Sequence, residues 1–343
     1  NLALYPVELR THKIFLMQNM KKIINFIVSE EDHKKRVDII LGDKLKDISR
    51  SKIKKFIETG NLLINNNKIL EPSKKARYFD KINFTIPEEN KFSLKPYDYK
   101  LDIIFEDEDL IVLNKKSGIS IHPGPGNYDN TIVNALMNYN GKKLSNVGEE
   151  FRPGIVHRLD KNTSGLILVA KNNYAHNHLA DQFKKHSVER VYNAIIWGKI
   201  RPINGKIDTL IKRSSNNRQL MEVGITKGKR AITNYKTIEI FEGDNAPSLS
   251  LIECKLETGR THQIRVHLNY KGNSILGDKQ YKKKYKRIDN TKSDIAKLIK
   301  DIDRQLLHAK SISFFHPSNN KRLEFTSNLP SDFDKLLKKL RNM

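Results

Sequence analysis

The stretch Arg152-Pro-Gly-Ile-Val-His-Arg-Leu-Asp160-Lys-Asn-Thr-Ser-Gly165, followed by Leu166-Ile-Leu-Val-Ala170, constrains the fold more than any other part of the chain. It sets a cluster of polar and charged groups between two short runs with strand character. Gly154 and Gly165 bracket the cluster, at positions where the backbone turns tightly or another group comes close. Within it, Asp160 stands between Arg158 and Lys161, with no second acid nearby. A carboxylate among cations stays ionised, which suits a nucleophile or a base. The same residue also fits an aspartate that holds a loop by hydrogen bonds to its backbone. Both readings are open at this point.

Strand-like segments dominate the rest of the second half. Glu189–Gly198 alternates, placing Tyr192, Ala194 and Ile196 on one face and Val191, Ile195 and Trp197 on the other. Further strands are expected at 101–105, 110–113, from Gly228 and over Ser248–Leu256, with helices from Thr131 and over 173–186. At Thr258-Gly-Arg-Thr-His-Gln-Ile-Arg265 the pattern changes from strand to helix, with Gly259 expected to permit the turn. His262 and His267 lie five apart without an intervening Glu, which is not the same-face pair of a helical zinc site. Four acids at Glu106–Asp109 lack the spacing and glycine of a calcium loop and are expected to form a solvated hairpin turn. Residues 282–305 are lysine-rich, with an amphipathic piece around Ile295, Leu298 and Ile299, and read as an inserted surface helix.

Earlier in the chain, Val37, Ile40 and Leu41 mark a short helix. Ser49 is the expected N-cap of a second helix with Ile53, Phe56 and Ile57 inside. Arg50, Lys52, Lys54 and Lys55 fall off that stripe and give the helix a basic face. Leu62–Ile64 and Lys68–Leu70 read as strands around an Asn-rich turn, and Ile82, Phe84 and Ile86 as a third strand. Two helices followed by short strands, with one basic helix face, resemble the S-four RNA-binding domain. The motifs are Arg36-Val-Asp38, Ser49-Arg-Ser-Lys-Ile53, Gly60-Asn-Leu-Leu-Ile-Asn65 and Asp80-Lys-Ile82. The resemblance implies RNA contact, mainly with phosphate, through Arg50, Lys52, Lys54 and Lys55.

Charge agrees with a polyanionic partner. Lys+Arg 63 against Asp+Glu 39 gives a net charge of +24 over 343 residues, which points to nucleic acid. No apolar run is long enough to span a bilayer and no concentrated basic anchor is present, so a membrane partner is set aside. The lone Cys254 excludes a disulfide framework and a cysteine-rich zinc site. Residues 10–28 carry basic groups and no acid, a pattern shared by a transit-peptide remnant and an ordinary basic leader. The expected organisation is an extension over 1–34, an S-four-like domain over 35–88, a linker over 89–100 and a catalytic domain over 101–343.

From residue 101 onward the chain resembles the RluA/RluD family of pseudouridine synthases. The blocks are His122-Pro-Gly with Gly126-Asn127, Arg152-Pro-Gly-Ile-Val-His-Arg-Leu-Asp160, Thr163-Ser-Gly165, Val191-Tyr192-Asn-Ala194, Gly228-Lys229 with Ala231, Gly259-Arg-Thr-His-Gln-Ile-Arg265-Val-His267 and Leu307-His-Ala309. The intact Arg152–Val156 run and the S-four-like domain favour the RluD-like branch. That branch modifies large-subunit ribosomal RNA, with transfer RNA and mRNA as the other candidate substrates. The resemblance implies an α+β fold with a mixed, mostly antiparallel sheet and an active-site cleft across one face.

Roles follow from the same matches. Asp160 corresponds to the catalytic aspartate and Tyr192 to the tyrosine that stacks on the target base and assists proton removal from C5. Arg265 corresponds to the arginine paired with the aspartate. Arg158 corresponds to the residue that fills the RNA stack when the uridine flips out, and Leu307 to an apolar contact with the base. The isomerisation involves no redox change and no hydrolysis, so neither a metal nor an organic cofactor is expected. A monomer is expected, in the cytoplasm of a bacterium or in an organelle if a transit peptide has been removed. Asn162, Lys116 and Gly277-Asp-Lys-Gln-Tyr281 depart from the family pattern and bear on loop shape and substrate choice. The competing class is a catalytically silent RNA-binding or ribosome-assembly protein.

Overall fold

In the computed structural model, which describes residues 22–45, 48, 50–87, 94–124, 126–140, 144–147, 152–243, 246–282 and 294–342, the chain divides into two units at residues 93 and 94. The first contains β1 (Lys22–Ile27), α1 (Val37–Lys44), α2 (Arg50–Glu58), β2 (Leu62–Ile64), β3 (Asn67–Ile69) and β4 (Lys81–Ile86). Its sheet has the order β1-β4-β2-β3, antiparallel throughout. The apolar faces read from the sequence form its core: Ile40 and Leu41 of α1 and Ile53 and Ile57 of α2 pack with Leu62 and Phe84. Asn65 and Asn66 both take positive φ, 50° and 64°, the backbone of a type I′ hairpin turn, which asparagine tolerates.

The expected extension over 1–34 does not hold from Lys22 onward. β1 pairs with β4 along its whole length, and Val28 is buried in the core. The strand lacks a polar/apolar alternation: Ile23 and Ile27 are exposed while Ile24 and Phe26 pack inward. Both faces are apolar, so only its partner β4 reveals it. Most of the basic leader pattern, and Ser49, lie outside the described residues.

The second unit comprises β5 (Ile103–Glu106), β6 (Leu110–Lys115), α3 (Ile132–Asn140), β7 (Ser164–Ala170), α4 (Asn173–Lys184), β8 (Glu189–Trp197), β9 (Asn204–Arg213), β10 (Met221–Gly224), β11 (Lys229–Gly243), β12 (Ala246–Leu256), α5 (Gln263–Tyr270), α6 (Asp294–Lys300), β13 (Leu307–Phe315), β14 (Arg322–Thr326) and α7 (Ser331–Arg341). Among the described residues it is built on a 10-stranded sheet of order β10-β9-β11-β12-β8-β13-β7-β6-β5, with β14 beside β13. Only β13 and β7 run parallel, so the sheet is mixed and mostly antiparallel, as expected. β7 is buried on both faces: Ile167 and Val169 pack toward α3, Leu166 and Leu168 toward α4. That is why the run after Gly165 is apolar without alternation.

Two expectations are corrected here. Residues 94–100 belong to this unit rather than to a linker: Asn134 Nδ2 donates to the Lys95 carbonyl at 2.8 Å, and Tyr97 and Tyr99 stack and pack on the core. Of the lysine-rich segment, residues 283–293 lie outside the described residues; its amphipathic piece is α6, with Ile295 and Ile299 packed on Phe333, Leu336 and Leu337 of α7 as expected. The acidic turn is knotted rather than solvated. Asp107 accepts the Asp109 and Leu110 backbone N–H groups at 2.8 and 2.9 Å and pairs with His316 at 2.7 Å. Asp109 takes hydrogen bonds from Asn172 and Ser318. These partners are distant in sequence and leave no local signature.

Burial lowers the pKa of His267 and His308 to about 4. Each lies between two hydroxyls, Thr233 and Thr209 for His267, Ser164 and Ser327 for His308. An unfolded histidine titrates near 6.5, so between there and about 4 the unfolded chain binds more protons and stability falls as pH drops. The expected loss by pH 4 is on the order of 3 kcal/mol for each histidine. Thermal melts from pH 7 to 4.5 should show a falling midpoint, with a shallower slope in His308→Gln.

Candidate active site

Asp160 sits in a loop pinned from three directions. Thr163 N–H donates to the Asp160 carbonyl at 3.0 Å. Lys115, at the end of β6, is buried and donates to the carbonyls of Lys116, Ile119 and Lys161 at 2.7, 3.0 and 2.9 Å. Burial pulls its pKa down to about 7, with Asp160 acting in the opposite direction. Three carbonyls accept all three ammonium protons, an arrangement that a neutral amine cannot fully satisfy. On the far side, Arg304 Nη1 donates to the Asn162 carbonyl at 3.3 Å. At the loop's end, a Cβ on Gly165 (φ 111°) would collide with the backbone of Ala309. The close approach inferred from the glycine is therefore the β7–β13 pairing itself.

The other predicted residues arrive from separate elements. Arg265 of α5 donates from Nη1 to Asp160 Oδ2 at 3.0 Å. Its remaining nitrogens clasp Asp278 at 2.7 and 2.9 Å and Gln280 at 2.7 Å. A second acid is thus close after all, reached through the guanidinium and fully buried. Burial opposes the charge on Arg265, but the hydrogen bonds and charges of Asp278 and Asp160 prevail and raise its pKa. Tyr192 of β8 and Leu307 of β13 line the same cleft, of about 450 Å³, as Asp160 and Arg265. Burial raises the Tyr192 pKa, Arg190 opposing and Asp160 reinforcing the shift, so its hydroxyl is protonated at neutral pH. A neighbouring cleft of about 530 Å³ shares Arg158, Asp160, His262 and Arg265 with the first. Arg158 is exposed at this junction.

In the first unit α2 carries Arg50 and Lys55 exposed, with Lys52 and Lys54 half-buried. Lys54 lies 3.6 Å from Asp38, a buried carboxylate that Arg36 also clasps.

Sequence reasoning missed Asp278, Gln280, Lys115 and Tyr281. Tyr281 supports Arg265 with its ring, 4.9 Å from the guanidinium, and its hydroxyl lies 2.8 Å from His262 Nδ1. His262, considered only as a metal ligand, faces Asp160 at 3.9 Å. It also supplies the left-handed residue of the strand-to-helix turn, φ 56°, the role expected of Gly259. Among the described residues no group of three or more His, Cys, Asp or Glu side chains is placed to hold a metal, and no helix is long and apolar enough to cross a membrane.

A buried arginine thus orients a carboxylate in a cleft that a tyrosine and an apolar side chain also line, an arrangement able to take a flat ring and do acid–base chemistry beside it. The RNA pseudouridylate synthase family model matches residues 109–270. Ribosomal large subunit pseudouridine synthase D of Zymomonas mobilis is 41% identical over 309 residues, 89% of this chain and 93% of that protein. RNA pseudouridine synthase 2, chloroplastic, of Arabidopsis thaliana is 34% identical over 361 residues, 93% of this chain and 83% of that protein. The solved structure of human RNA pseudouridylate synthase domain containing 1 shares the fold, with TM-score 0.51 at 23% identity over 73% of this chain and 98% of that one. The chain belongs to the RluA/RluD family of RNA pseudouridine synthases, isomerases that act on RNA.

Proposed function

We propose that the protein converts specific uridines of large-subunit ribosomal RNA to pseudouridine, with Asp160 as the catalytic carboxylate. The observation that carries this reading is the Asp160–Arg265 pair, 3.0 Å apart, in a cleft that also holds Tyr192 and Leu307. A uracil stacked in RNA is out of reach, so the nucleotide flips into the cleft and Arg158 fills the vacated place. Leu307 and the Tyr192 ring receive the base. Arg265 pairs with Asp160 and fixes its direction.

Two routes start from this carboxylate: attack on C1′ of the ribose, or removal of the 2′ proton to give a glycal. In either, the N-glycosidic bond breaks, uracil turns within the cleft and C5 bonds to C1′, as the Asp160–C1′ bond breaks on the first route or the 2′ proton returns from Asp160 on the second; the C5 proton leaves and N1 gains one, with the Tyr192 hydroxyl at hand to relay it. Atoms are conserved, and the product is an isomer of the substrate.

The first unit acts as an S-four-like RNA-binding domain. Arg50 and Lys55, with Lys52 and Lys54, contact phosphate and add affinity that falls with salt. Lys54 shares its charge with Asp38 and contributes less. The enzyme works as a monomer, in the bacterial cytoplasm or in an organelle that makes its own ribosomal RNA.

The test is to offer unmodified large-subunit ribosomal RNA, transfer RNA and mRNA to the purified protein and map pseudouridine. Discrete sites in the ribosomal RNA are expected. RNA binding without conversion of any of the three would instead leave a silent RNA-binding protein.

A further inference from the structure

Among the described residues, Arg190 is the one buried cation lining the cleft that the chemistry above does not use. It lies two residues before Tyr192 on β8, on the same face of the strand, and only 7% of its surface is accessible. Among the described residues its Nε has no hydrogen-bond partner and no carboxylate pairs with it; burial lowers its pKa, with Tyr192 acting in the opposite direction. The adjacent acid, Glu189, is taken by Lys255 and Arg322 at 2.7 and 3.3 Å. The guanidinium lies 5.3 Å from the centre of the Phe183 ring.

That ring's attraction is smaller than the cost of removing a full charge from water. A buried arginine without an anion is therefore an incomplete site. Two neighbours support this. A Cβ on Gly259 would lie 2.7 Å from Arg190 Nη1, so glycine keeps space open beside the guanidinium. His157 also stacks on Phe183, at 4.8 Å. His157 Nε2 accepts the Leu168 N–H at 2.9 Å, so in the neutral ring the proton is on Nδ1, which is buried and has no partner among the described residues. All four residues line the cleft that holds Asp160. Two orphaned donors, one of them cationic, call for an anionic oxygen acceptor.

We propose that Arg190, assisted by His157, anchors one phosphodiester of the RNA flanking the flipped uridine, in the cleft wall between Phe183 and Gly259. The uridine is thereby gripped at its backbone while Asp160 acts on its ribose. This rests on the RNA substrate proposed above. A base or ribose oxygen is the competing acceptor, and neutralising single phosphates separates the two.

The experiment uses the full chain and the shortest RNA in which the wild-type enzyme converts a uridine. The two phosphates flanking that uridine are replaced in turn by uncharged methylphosphonates, and affinity is measured for wild type, Arg190→Met and Arg190→Lys. One replacement is expected to weaken wild-type binding roughly tenfold or more, to weaken the lysine variant similarly, and to leave the methionine variant within about twofold of its own reference. Because Arg190 has no anionic partner among the described residues, Arg190→Met is expected to keep or raise the melting temperature. Equal methylphosphonate penalties in wild type and Arg190→Met, or a methionine variant that fails to fold, would overturn the assignment to phosphate. If the wild type converts no uridine in any RNA, the substrate reading falls first and this one with it.

Discussion

Asp160→Ala is expected to abolish pseudouridine formation, lowering the single-turnover rate by roughly 10⁴-fold or more, while RNA affinity changes little. Every bond that breaks on either proposed route depends on this carboxylate, and among the described residues no other acid lines the cleft that holds Tyr192 and Leu307. Asp278 cannot substitute, because Arg265 clasps both of its oxygens and it is fully buried. The fold should survive. Arg265 keeps Asp278 and Gln280 as partners, and the loop is held by the Lys115 and Arg304 hydrogen bonds to its backbone. Asp160→Asn should behave likewise, since the shape remains and only the charge is lost. Affinity by titration together with single-turnover kinetics separates lost chemistry from lost binding.

Arg265→Met is expected to damage both stability and activity. It strands Asp278, whose side chain is fully buried and whose charge would then rest only on the backbone N–H groups of Gln280 and Tyr281 at 3.0 and 3.1 Å. Breaking a buried pair from one side costs about 3–5 kcal/mol, which corresponds to a melting temperature lower by roughly 10 °C. The double variant Arg265→Met/Asp278→Asn removes the stranded charge and should recover most of the stability. Activity should stay low, because Asp160 remains without the guanidinium that orients it. Calorimetry and kinetics on the three proteins test this: recovery of both properties together would mean that Arg265 serves the fold alone.

Asp160, Tyr192, Arg265 and Leu307 were legible because each sits in a contiguous block of several residues, and the fold returns all four to one cleft. Legibility failed where a residue's meaning is supplied by a distant partner. Asp278 lies in a segment noticed only for its departures, and nothing near it in sequence announces that it will be buried against Arg265. β1 carries apolar residues on both faces, so no period betrays it. The acids of the 106–109 turn look solvated until His316 and Ser318 arrive from the other end of the chain. Arg190 could be placed on the face of Tyr192 by alternation. Its burial without an anion is visible only once α4 and Gly259 close around it. In the other direction, the unalternating run after Gly165 told the truth about β7: it is apolar on both sides because helices cover both sides.

The decisive measurement is a pseudouridine map of large-subunit ribosomal RNA from cells lacking this protein and supplied with either the wild-type chain or Asp160→Asn. A discrete set of sites, present with the wild type and absent with Asp160→Asn, is the predicted result. Sites restored equally by both chains would contradict a catalytic Asp160, and a map unchanged by the protein's loss would contradict ribosomal RNA as its substrate.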